Sequence, residues 1–415
     1  MKKVLFLLTS SFPFGRGESF IANELPYLES AFDEISIISN DTEHDITFSL
    51  PPSVECRRMG YALTRWETAL SLFGFLGGAV WEELKVVRDQ YRLPWTKGVL
   101  STVLVSWWKG RRFSRAIRDL AGKHRGAEVH LYSFWANDMA VAAAISRQKG
   151  WVHRAYCRAH GWDVYFERAR VGFLPFRRYL AANLDHLLFA SEDGRRYFET
   201  RVGGQELGSL GHARLGTPPV SPRPMGRISP FTIISCSSMI PLKRIQLIVE
   251  ALRLVAGKAR WVHFGDGPTR SAVERSCAEL PSRIDVELKG HIPHTDVLSG
   301  LLELRPSVFL NVSETEGLPV SMMEAMSVGI PVVGTGVGGV REIIEHQVNG
   351  LLLDPDPAPA QVASAIDAIS ELSEEEYMKL AGRAWATWHD KFNAEENYPS
   401  FLELIGIKAG EEKSN

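Results

Sequence analysis

The alternation of short apolar runs with helix-length segments limits the fold of this chain more than any other feature. Six runs lie in the first half, namely VLFLLTS, EISIISN, EVHLYSF, RAYCRAHG, HLLFAS and HARLGT. Six more lie in the second half, namely FTIISCSS, RWVHFGDG, DVELKG, SVFLNVS, IPVVGTG and GLLLDP. Apolar strands that are separated by helices are typical of parallel sheets covered on both faces. The sequence therefore predicts an α/β protein with two doubly wound, parallel-sheet domains of the Rossmann-like kind.

A proline-rich segment separates the two sets of strands. The chain has 415 residues, which is more than one hydrophobic core usually serves, so two domains are expected. Residues 215–230 contain four prolines before Pro230, and this composition opposes regular secondary structure. We predict a first domain over residues 1–218 and a second domain over residues 219–392.

Charge and cysteine content exclude several classes of protein. The formal net charge is −2, so no overall positive field points to a nucleic-acid partner. The four cysteines are scattered without a C-x-x-C pair, which fits a reduced compartment and predicts no zinc site. The apolar run Val4–Leu8 is short and lacks a cleavage site, so we interpret it as a first strand, with a signal peptide as the alternative. No run approaches the length of a membrane span, and a cytoplasmic location is expected.

Tryptophans alternate with basic residues within residues 61–125. The two sets are Trp66, Trp81, Trp95, Trp107 and Trp108, and Lys109, Arg111, Arg112, Arg115 and Arg118. Helices that cover a sheet also carry such residues, so ordinary packing is one interpretation. The other is peripheral contact with an anionic membrane, because aromatic faces beside basic residues suit such a surface. The second interpretation places the protein at the inner face of the cytoplasmic membrane.

Two glutamates flank the start of a predicted helix. SVFLNVS reads as a strand, and the run from Pro319 to Val328 reads as a short helix. Glu316 then lies in the loop before the helix, and Glu324 lies within it. Free N–H groups at a helix N-terminus beside Gly317 favour a phosphate, and a carboxylate on each side could accept hydrogen bonds from hydroxyls. This pattern suggests a nucleoside diphosphate sugar; the alternative is a helix cap at Glu316 with a surface Glu324.

These residues resemble the donor-site signature of the family-4 retaining glycosyltransferases, which have the GT-B architecture of two Rossmann-like domains facing a cleft. Further similar segments cover nearly the whole chain: SCSSMIPLKRIQLIVEAL, WVHFGDGP, LKGHIPHTDV, GIPVVGTGVGGVREIIEHQVNGLLL, FPFGRGESFIANEL and RAHGWDVYFER. The resemblance is greatest to bacterial enzymes that build surface polysaccharides. It implies that the first domain binds the acceptor and the second binds the donor. It also implies that the last helix, around Glu395–Ile407, crosses back, so that residues of about 393–415 complete the first domain.

The resemblance assigns the donor site residue by residue. Glu316 matches the glutamate that contacts the donor sugar, Glu324 matches the one that contacts the ribose, and Lys243 matches the lysine that neutralises the diphosphate. The cradle for the phosphate and sugar matches Gly317, Leu318, Pro319 and Val320, and the segments near the nucleotide and its base match Gly265, Gly267, His291 and Ile292. Pro319 stands where many relatives have glycine. Ser238 stands where many have arginine, and Arg244 is expected to supply that second positive charge.

In the first domain the resemblance places a catalytic histidine at His160, at the carboxyl end of a strand. Gly15 and Gly17 match the loop that approaches the diphosphate, where glycine lets the backbone come close to a ligand. The residues expected to face the acceptor are Glu18, Asp163 and Tyr165, with helix capping as an equal alternative for the first and a purely structural role as the alternative for the other two.

The resemblance implies a reaction without a metal and with retention of anomeric configuration, for which no nucleophile is named. The pattern Asp354–Asp356 formally matches a D-x-D metal motif but lies in a proline-rich turn, and His291 and His294 lack a third ligand. A sugar-nucleotide-binding subunit without activity is the main alternative, because of Ser238. A phosphorylase, an epimerase and a dehydrogenase each lack a required residue or motif position. The sequence leaves the sugar, the base and the acceptor undecided.

Overall fold

The computed structural model describes residues 1–15, 17–60, 63–203, 210–220 and 229–407. The chain divides into two compact units. The first comprises Met1–Arg214 with Tyr398–Asn415, and the second comprises Leu215–Asn397. The predicted boundary lay at residues 218 and 219, in a segment of which residues 221–228 lie outside the described residues.

The first unit is built on a seven-stranded sheet in which all paired strands are parallel. Its strands are β1 (Lys3–Thr9), β2 (Glu34–Ser39), β3 (Val54–Arg58), β4 (Glu128–Ser133), β5 (Arg154–Ala159), β6 (His186–Phe189) and β7 (Leu210–His212). The spatial order is β3-β2-β1-β4-β5-β6-β7, so the direction of winding reverses between β1 and β4. Five of these strands were predicted, whereas the sixth apolar run, HARLGT, shares only His212 with β7. The edge strand β3 was missed because only its first residue, Val54, is buried.

Eight helices belong to the described part of the first unit or enter it: α1 (Leu25–Ala31), α2 (Arg65–Leu70), α3 (Gly78–Asp89), α4 (Lys97–Ala121), α5 (Asp138–Gln148), α6 (Arg177–Asn183), α7 (Glu192–Val202) and α15 (Ala394–Leu404). The last of these corresponds to the helix predicted around Glu395–Ile407. From Tyr398 onward it packs within the first unit. The ring centroids of Tyr398 and Tyr27 are 5.2 Å apart, and those of Phe401 and Tyr132 are 5.3 Å apart.

The second unit has a six-stranded parallel sheet with the order β10-β9-β8-β11-β12-β13. The strands are β8 (Phe231–Cys236), β9 (Ala259–Phe264), β10 (Ile284–Gly290), β11 (Val308–Asn311), β12 (Val332–Thr335) and β13 (Gly350–Leu353). The helices are α8 (Ile245–Leu252), α9 (Arg270–Cys277), α10 (His294–Leu304), α11 (Val320–Ser327), α12 (Val340–Ile343), α13 (Pro359–Ser370) and α14 (Glu374–Phe392). All six strands were predicted from their apolar runs.

Neighbouring residues of the central strands enter different cores, which explains why these strands are apolar throughout. In β8, Ile233 belongs to one apolar cluster of the second unit and Ile234 belongs to the other. In β11, Val308 and Leu310 face the first cluster while Phe309 faces the second. Successive side chains of a strand point to opposite faces, so a sheet covered on both sides needs an apolar residue at every position.

The structure also bears on membrane spanning. Among the residues that it describes, no helix is both long enough and apolar enough to cross a membrane.

Candidate functional site

A lysine and a glutamate meet at the carboxyl edge of the second sheet. Lys243 ends a short 3-10 helix, Pro241–Lys243, after β8, and Glu316 lies in the loop after β11. The strands β8 and β11 are neighbours where the strand order reverses, which is where doubly wound sheets bind ligands. Lys243 Nζ lies 2.7 Å from Glu316 Oε1, and Asn311 Nδ2 donates to the same oxygen at 3.1 Å. The two sequence-predicted residues are therefore brought together.

The carboxyl group of Glu316 is ionised in this setting. Burial by itself would raise the pKa of Glu316, but Lys243, Ser313 and Asn311 outweigh it and leave the pKa below its ordinary value. An ionised carboxylate is a pure hydrogen-bond acceptor, so it suits the hydroxyl groups of a sugar.

The second glutamate is buried rather than exposed. Helix α11 begins at Val320, with Pro319 in the N-cap position and without a side-chain cap. Neither part of the alternative interpretation therefore holds, since Glu316 caps no helix and Glu324 is only 3% exposed. His294 Nε2, at the start of α10, lies 2.8 Å from Glu324 Oε1. The sequence pointed instead to His291 in the preceding loop, and no local signal marks His294 as the partner.

The glycine-rich turn after β12 supports the loop that carries Glu316. Gly339 N donates to Gly317 O at 2.9 Å. A Cβ atom at Gly339 would lie 2.3 Å from that carbonyl oxygen, so any side chain there would push the two segments apart. Leu318, in the same loop, is buried against the core. The turn thus fixes the backbone of residues 317–319 immediately before α11.

Two further glycines join the loops after β8 and β9. Gly265 and Gly267 have φ angles of +146° and +159°, and both approach backbone of the preceding loop. A Cβ at Gly265 would lie 1.8 Å from Ser237 O, and one at Gly267 would lie 2.5 Å from Met239 O. Gly265 N also donates to Gly290 O at the end of β10, at 2.8 Å. The predicted nucleotide turn is therefore part of a close backbone contact between three loops.

Replacing Gly265 with alanine should destabilise the protein by about 2–4 kcal/mol, because both the positive φ and the contact with Ser237 O oppose a Cβ. Urea unfolding measures this loss. Gly257→Ala is the matched control, since a Cβ at Gly257 would meet nothing within 4 Å. Equal free energies of unfolding for the two variants would contradict the destabilising effect expected of a Cβ at Gly265.

The contacts of Arg244 do not match its predicted role as a second positive charge for the diphosphate. Its guanidinium group donates to Val312 O at 2.6 Å, to Ser313 O at 3.1 Å and to Pro355 O at 2.8 Å, and it pairs with Asp356 Oδ1 at 2.9 Å. These contacts tie the segment after β11 to the turn after β13. The donors expected to face a diphosphate are therefore used within the protein.

The structure also places the other residues that were predicted or considered in the second unit. His291 and Ile292 lie between β10 and α10, and Ile292 packs against the core beside α11. Asp354 of the D-x-D pattern accepts a hydrogen bond from Gln361 Nε2 at 3.1 Å. Within the described part of the chain, no group of three or more His, Cys, Asp or Glu side chains is arranged to hold a metal ion.

In the first unit, Glu18 organises the loop after β1. Its carboxylate accepts backbone N–H groups of Ser10 at 2.9 Å, Ser11 at 2.6 Å and Phe12 at 2.7 Å, and it also accepts the indole N–H of Trp135. Glu18 was predicted to face the acceptor, with capping as the alternative. The buried carboxylate instead holds the loop in shape, and it makes no side-chain cap hydrogen bond to the 3-10 helix Ser19–Asn23 that follows it.

The two glycines of this loop allow a backbone conformation and a close approach that a side chain would oppose. Gly15 has a φ of +62°, and its N–H donates to Asp45 O at 3.1 Å. A Cβ at Gly17 would lie 2.9 Å from the Ser11 hydroxyl oxygen, so the loop is tight on that side. Arg16 between them lies outside the described residues.

His160 follows β5 and is held by neighbouring aromatic residues. Its ring stacks on Phe134 with centroids 4.6 Å apart and meets Trp135 edge-on at 4.8 Å. His160 Nε2 lies 3.0 Å from Phe134 O, and a carbonyl only accepts, so this nitrogen carries the proton. Burial, followed by the nearby charge of Arg158, keeps the pKa of His160 well below its ordinary value. The ring is therefore neutral, and its Nδ1 is a hydrogen-bond acceptor.

Asp163 is buried instead of facing an acceptor pocket, whereas Tyr165 is partly exposed. Asp163 is 1% exposed and accepts N–H groups of His160 and Gly161, each at 2.9 Å, and of Ala136 at 2.8 Å. It therefore shapes the turn that presents His160. The Tyr165 hydroxyl donates to Asp193 Oδ2 at 2.6 Å, which fixes that side chain against α7. Sequence reasoning missed Trp135, whose contacts with both Glu18 and His160 arise only in the folded chain.

Comparisons with known proteins identify similar chains. The profile of the family described as "Glycosyl transferases group 1" matches residues 227–385. WcaL of Escherichia coli (strain K12), whose name refers to colanic acid biosynthesis, is 32% identical over 181 residues. The amylovoran biosynthesis glycosyltransferase AmsK of Erwinia amylovora is 28% identical over 183 residues. Each alignment covers 42% of this chain and 44% of the relative, so the chain matches less than half the length of these relatives.

A solved structure extends the similarity to the whole fold. Anabaena HepE, crystallised in complex with UDP and glucose, superposes with a TM-score of 0.67 over 98% of this chain and 100% of that chain. Sequence identity is 16%, so this likeness concerns the fold alone. Together with the two parallel sheets, these findings show that residues 227–385 match the group 1 glycosyl transferases and that each unit has the parallel-sheet fold found in GT-B enzymes.

Proposed function

We propose that this protein is a retaining, metal-independent glycosyltransferase of polysaccharide biosynthesis that uses a nucleoside diphosphate sugar. The observation that carries the proposal is the contact of 2.7 Å between Lys243 and Glu316 at the reversal point of the second sheet. The contact brings together a cation that can bind a diphosphate and an ionised carboxylate that can accept hydrogen bonds from sugar hydroxyls. The names of WcaL and AmsK support polysaccharide biosynthesis as the setting. Membership in family 4 stays a prediction.

The proposed chemistry assigns Lys243 to the leaving group. Transfer breaks the bond between the anomeric carbon and the phosphate oxygen, and negative charge grows on the departing diphosphate. A cation fixed beside that oxygen lowers the barrier because its interaction strengthens as the charge develops. Glu316 holds the ammonium group of Lys243 in position through the contact of 2.7 Å.

The two glutamates then bind hydroxyl groups. Glu316 would accept hydrogen bonds from the donor sugar, and Glu324, whose Oε1 lies 2.8 Å from His294 Nε2, would accept them from the ribose. The two-carboxylate scheme of glycoside hydrolases is not proposed here, since that scheme needs one carboxyl group as acid or nucleophile at the reacting carbon.

His160 has a limited role in this scheme. Its Nε2–H is bound to Phe134 O, so only Nδ1 is available, and in the neutral ring it accepts. We therefore assign His160 to a hydrogen bond from a sugar hydroxyl and not to acid catalysis. The acceptor's proton would pass to the leaving phosphate on the face of attack, which is consistent with retention and needs no protein nucleophile.

The acceptor is proposed to be a lipid-linked glycan at the cytoplasmic face of the membrane. The support is the polysaccharide-building relatives and the cluster of aromatic and basic residues in residues 61–125.

A thermal-shift screen with UDP-, GDP- and other nucleotide sugars, in the presence of a chelator, tests the donor assignment. A ligand that binds only the native state raises its stability by about 2.7 kcal/mol at a concentration one hundredfold above Kd. We expect one nucleotide class to raise the melting temperature and to be consumed when membranes carrying acceptor lipids are added. Absence of any shift at millimolar concentrations, together with absence of transfer, would refute the proposal. A shift without transfer to any acceptor would favour the inactive binding subunit.

A further inference from the structure

Exposed apolar side chains are concentrated in one short part of the first unit. Twelve large apolar side chains are exposed among the described residues, and six of them lie between residues 66 and 95. These six, here called the apolar surface, are Trp66, Leu70, Leu72, Phe73, Trp81 and Trp95. Single exposed apolar residues are ordinary, whereas a local concentration of them marks a surface that binds something.

The helix that begins this surface is held with its polar side against the protein. Thr64 and Glu67 form a reciprocal cap at the start of α2. Arg112 of α4 then pairs with Glu67 at 2.9 Å. Trp66 and Leu70 are four residues apart and therefore share one side of α2. Trp66 is 81% exposed, and Phe73 in the following 3-10 helix, Ser71–Leu76, is 59% exposed.

The tryptophans at 81 and 95 direct their only polar atoms inward. Trp81 Nε1 donates to Phe75 O at 2.7 Å, and Trp95 Nε1 donates to Leu84 O at 2.9 Å. Their rings contact one another with centroids 6.3 Å apart. Because each indole N–H is already bonded within the protein, the exposed part of each ring is hydrocarbon. Such edges gain from an apolar environment and lose no hydrogen bond on entering it.

The charge of the same segment has the opposite sign to that of the rest of the chain. Residues 61–125 contain twelve Lys and Arg residues against five Asp and Glu residues, which gives +7, whereas the whole chain carries −2. Arg111, Arg115 and Arg118 follow one side of α4 at helical spacing, and all three are exposed. Arg112 connects this helix to α2, which carries Trp66 and Leu70 of the apolar surface.

We propose that the apolar surface inserts into the interfacial layer of an anionic lipid bilayer while the basic residues of α4 contact its headgroups. Apolar side chains beside exposed cations suit such a bilayer, because insertion removes hydrocarbon from water and the negative surface potential attracts the cations. A lipid-linked acceptor would then be reached from the membrane on which the enzyme sits. This last point rests on the proposed function, but the membrane contact itself does not.

Flotation with lipid vesicles tests the contact with the full chain. We expect binding to vesicles containing phosphatidylglycerol, little binding to pure phosphatidylcholine, and weaker binding at high salt. Trp66→Ser/Leu72→Ser/Phe73→Ser should lower the partition coefficient at least about tenfold, because three inserted side chains are lost. Arg111→Gln/Arg115→Gln should lower binding to anionic vesicles only. The matched control is Leu254→Ser/Val348→Ser, which removes exposed apolar residues from the second unit.

The outcomes separate this proposal from its competitors. Failure of the wild-type chain to bind anionic vesicles, or binding by the triple variant equal to that of the control, would overturn it. Light scattering in solution addresses a second copy as the occupant: a wild-type dimer that the triple variant abolishes, without vesicle binding, would also overturn it. Donor thermal shifts are measured on the same variants. Vesicle binding without any donor shift would leave the membrane contact standing and remove only the proposed transfer activity.

Discussion

Replacing Lys243 with methionine should lower the rate of transfer by about 10²–10³-fold, because the departing diphosphate loses the cation that stabilises its growing charge. The loss should fall mainly on kcat, since that charge is larger in the transition state than in the bound donor. Steady-state kinetics with the donor identified by thermal shift measures it. The alkyl part of the side chain is retained in methionine, so packing around the 3-10 helix Pro241–Lys243 is preserved.

The Lys243→Met experiment must distinguish an effect on the transfer step from an effect on stability. Lys243 also pairs with the buried carboxylate of Glu316 at 2.7 Å. Lys243→Met leaves that carboxylate without its cation and should cost stability as well as activity. Adding Glu316→Gln removes the unpaired charge, so the double variant should regain stability and remain inactive. Lys289→Met is the matched control, since Lys289 pairs with Glu287 at 2.5 Å on β10 and is partly exposed. Activity of Lys243→Met within about threefold of that control would exclude the assigned role.

Replacing Arg158 with methionine should destabilise the first unit by about 3–5 kcal/mol, since it leaves the carboxylate of Glu24 buried without a cation. The two side chains are 0% and 1% exposed, with Arg158 Nη2 only 2.5 Å from Glu24 Oε1. The guanidinium group also lies over the ring of Phe401, with its carbon 4.4 Å from the centroid. Arg158 therefore links β5, which leads to His160, both with the residue before α1 and with the C-terminal helix.

Urea unfolding of the full chain measures this effect, and hydrogen exchange of the β5 amides assigns it to the first unit. Glu24→Leu/Arg158→Met should recover most of the lost stability, because an apolar pair of similar volume carries no desolvation cost. Arg57→Met is the control, since Arg57 pairs with Glu55 at 2.7 Å where both side chains are exposed, and it should change stability by less than about 1 kcal/mol. A loss for Arg158→Met no larger than for Arg57→Met would contradict the interpretation.

The strands were the most predictable part of the fold, because each is a local pattern. The runs from VLFLLTS to GLLLDP are apolar at successive positions, as strands buried on both faces require. Strand β3 was not predicted because it lies at the edge of the sheet, and only Val54 of its sequence VECRR is buried. Helix α11 was predicted from Pro319 and observed from Val320, since proline fixes the start of a helix locally.

The candidate site was predictable only in part. Lys243, Glu316, Glu324 and the glycines could be predicted as site residues because they belong to motifs that are contiguous in the chain. The structure does not support the acceptor-facing role considered for Glu18 and Asp163, because both carboxylates are turned inward onto backbone N–H groups of neighbouring loops. A sequence shows that a carboxylate is present, but whether it faces solvent or a loop depends on the surrounding chain.

The sequence by itself determined the two parallel sheets and the residues at the carboxyl edge of the second one, because strand patterning and motif spacing are local. Only the tertiary structure decided which side chains pair. Glu316 meets a lysine 73 positions away, and Glu18 receives a hydrogen bond from an indole 117 positions away. It also decided that Trp107 packs on Phe176 while Trp66 is exposed, although both belong to the same aromatic and basic segment. The physical reason is that burial and hydrogen bonding depend on what the rest of the chain brings alongside a residue, and no local pattern encodes that neighbour.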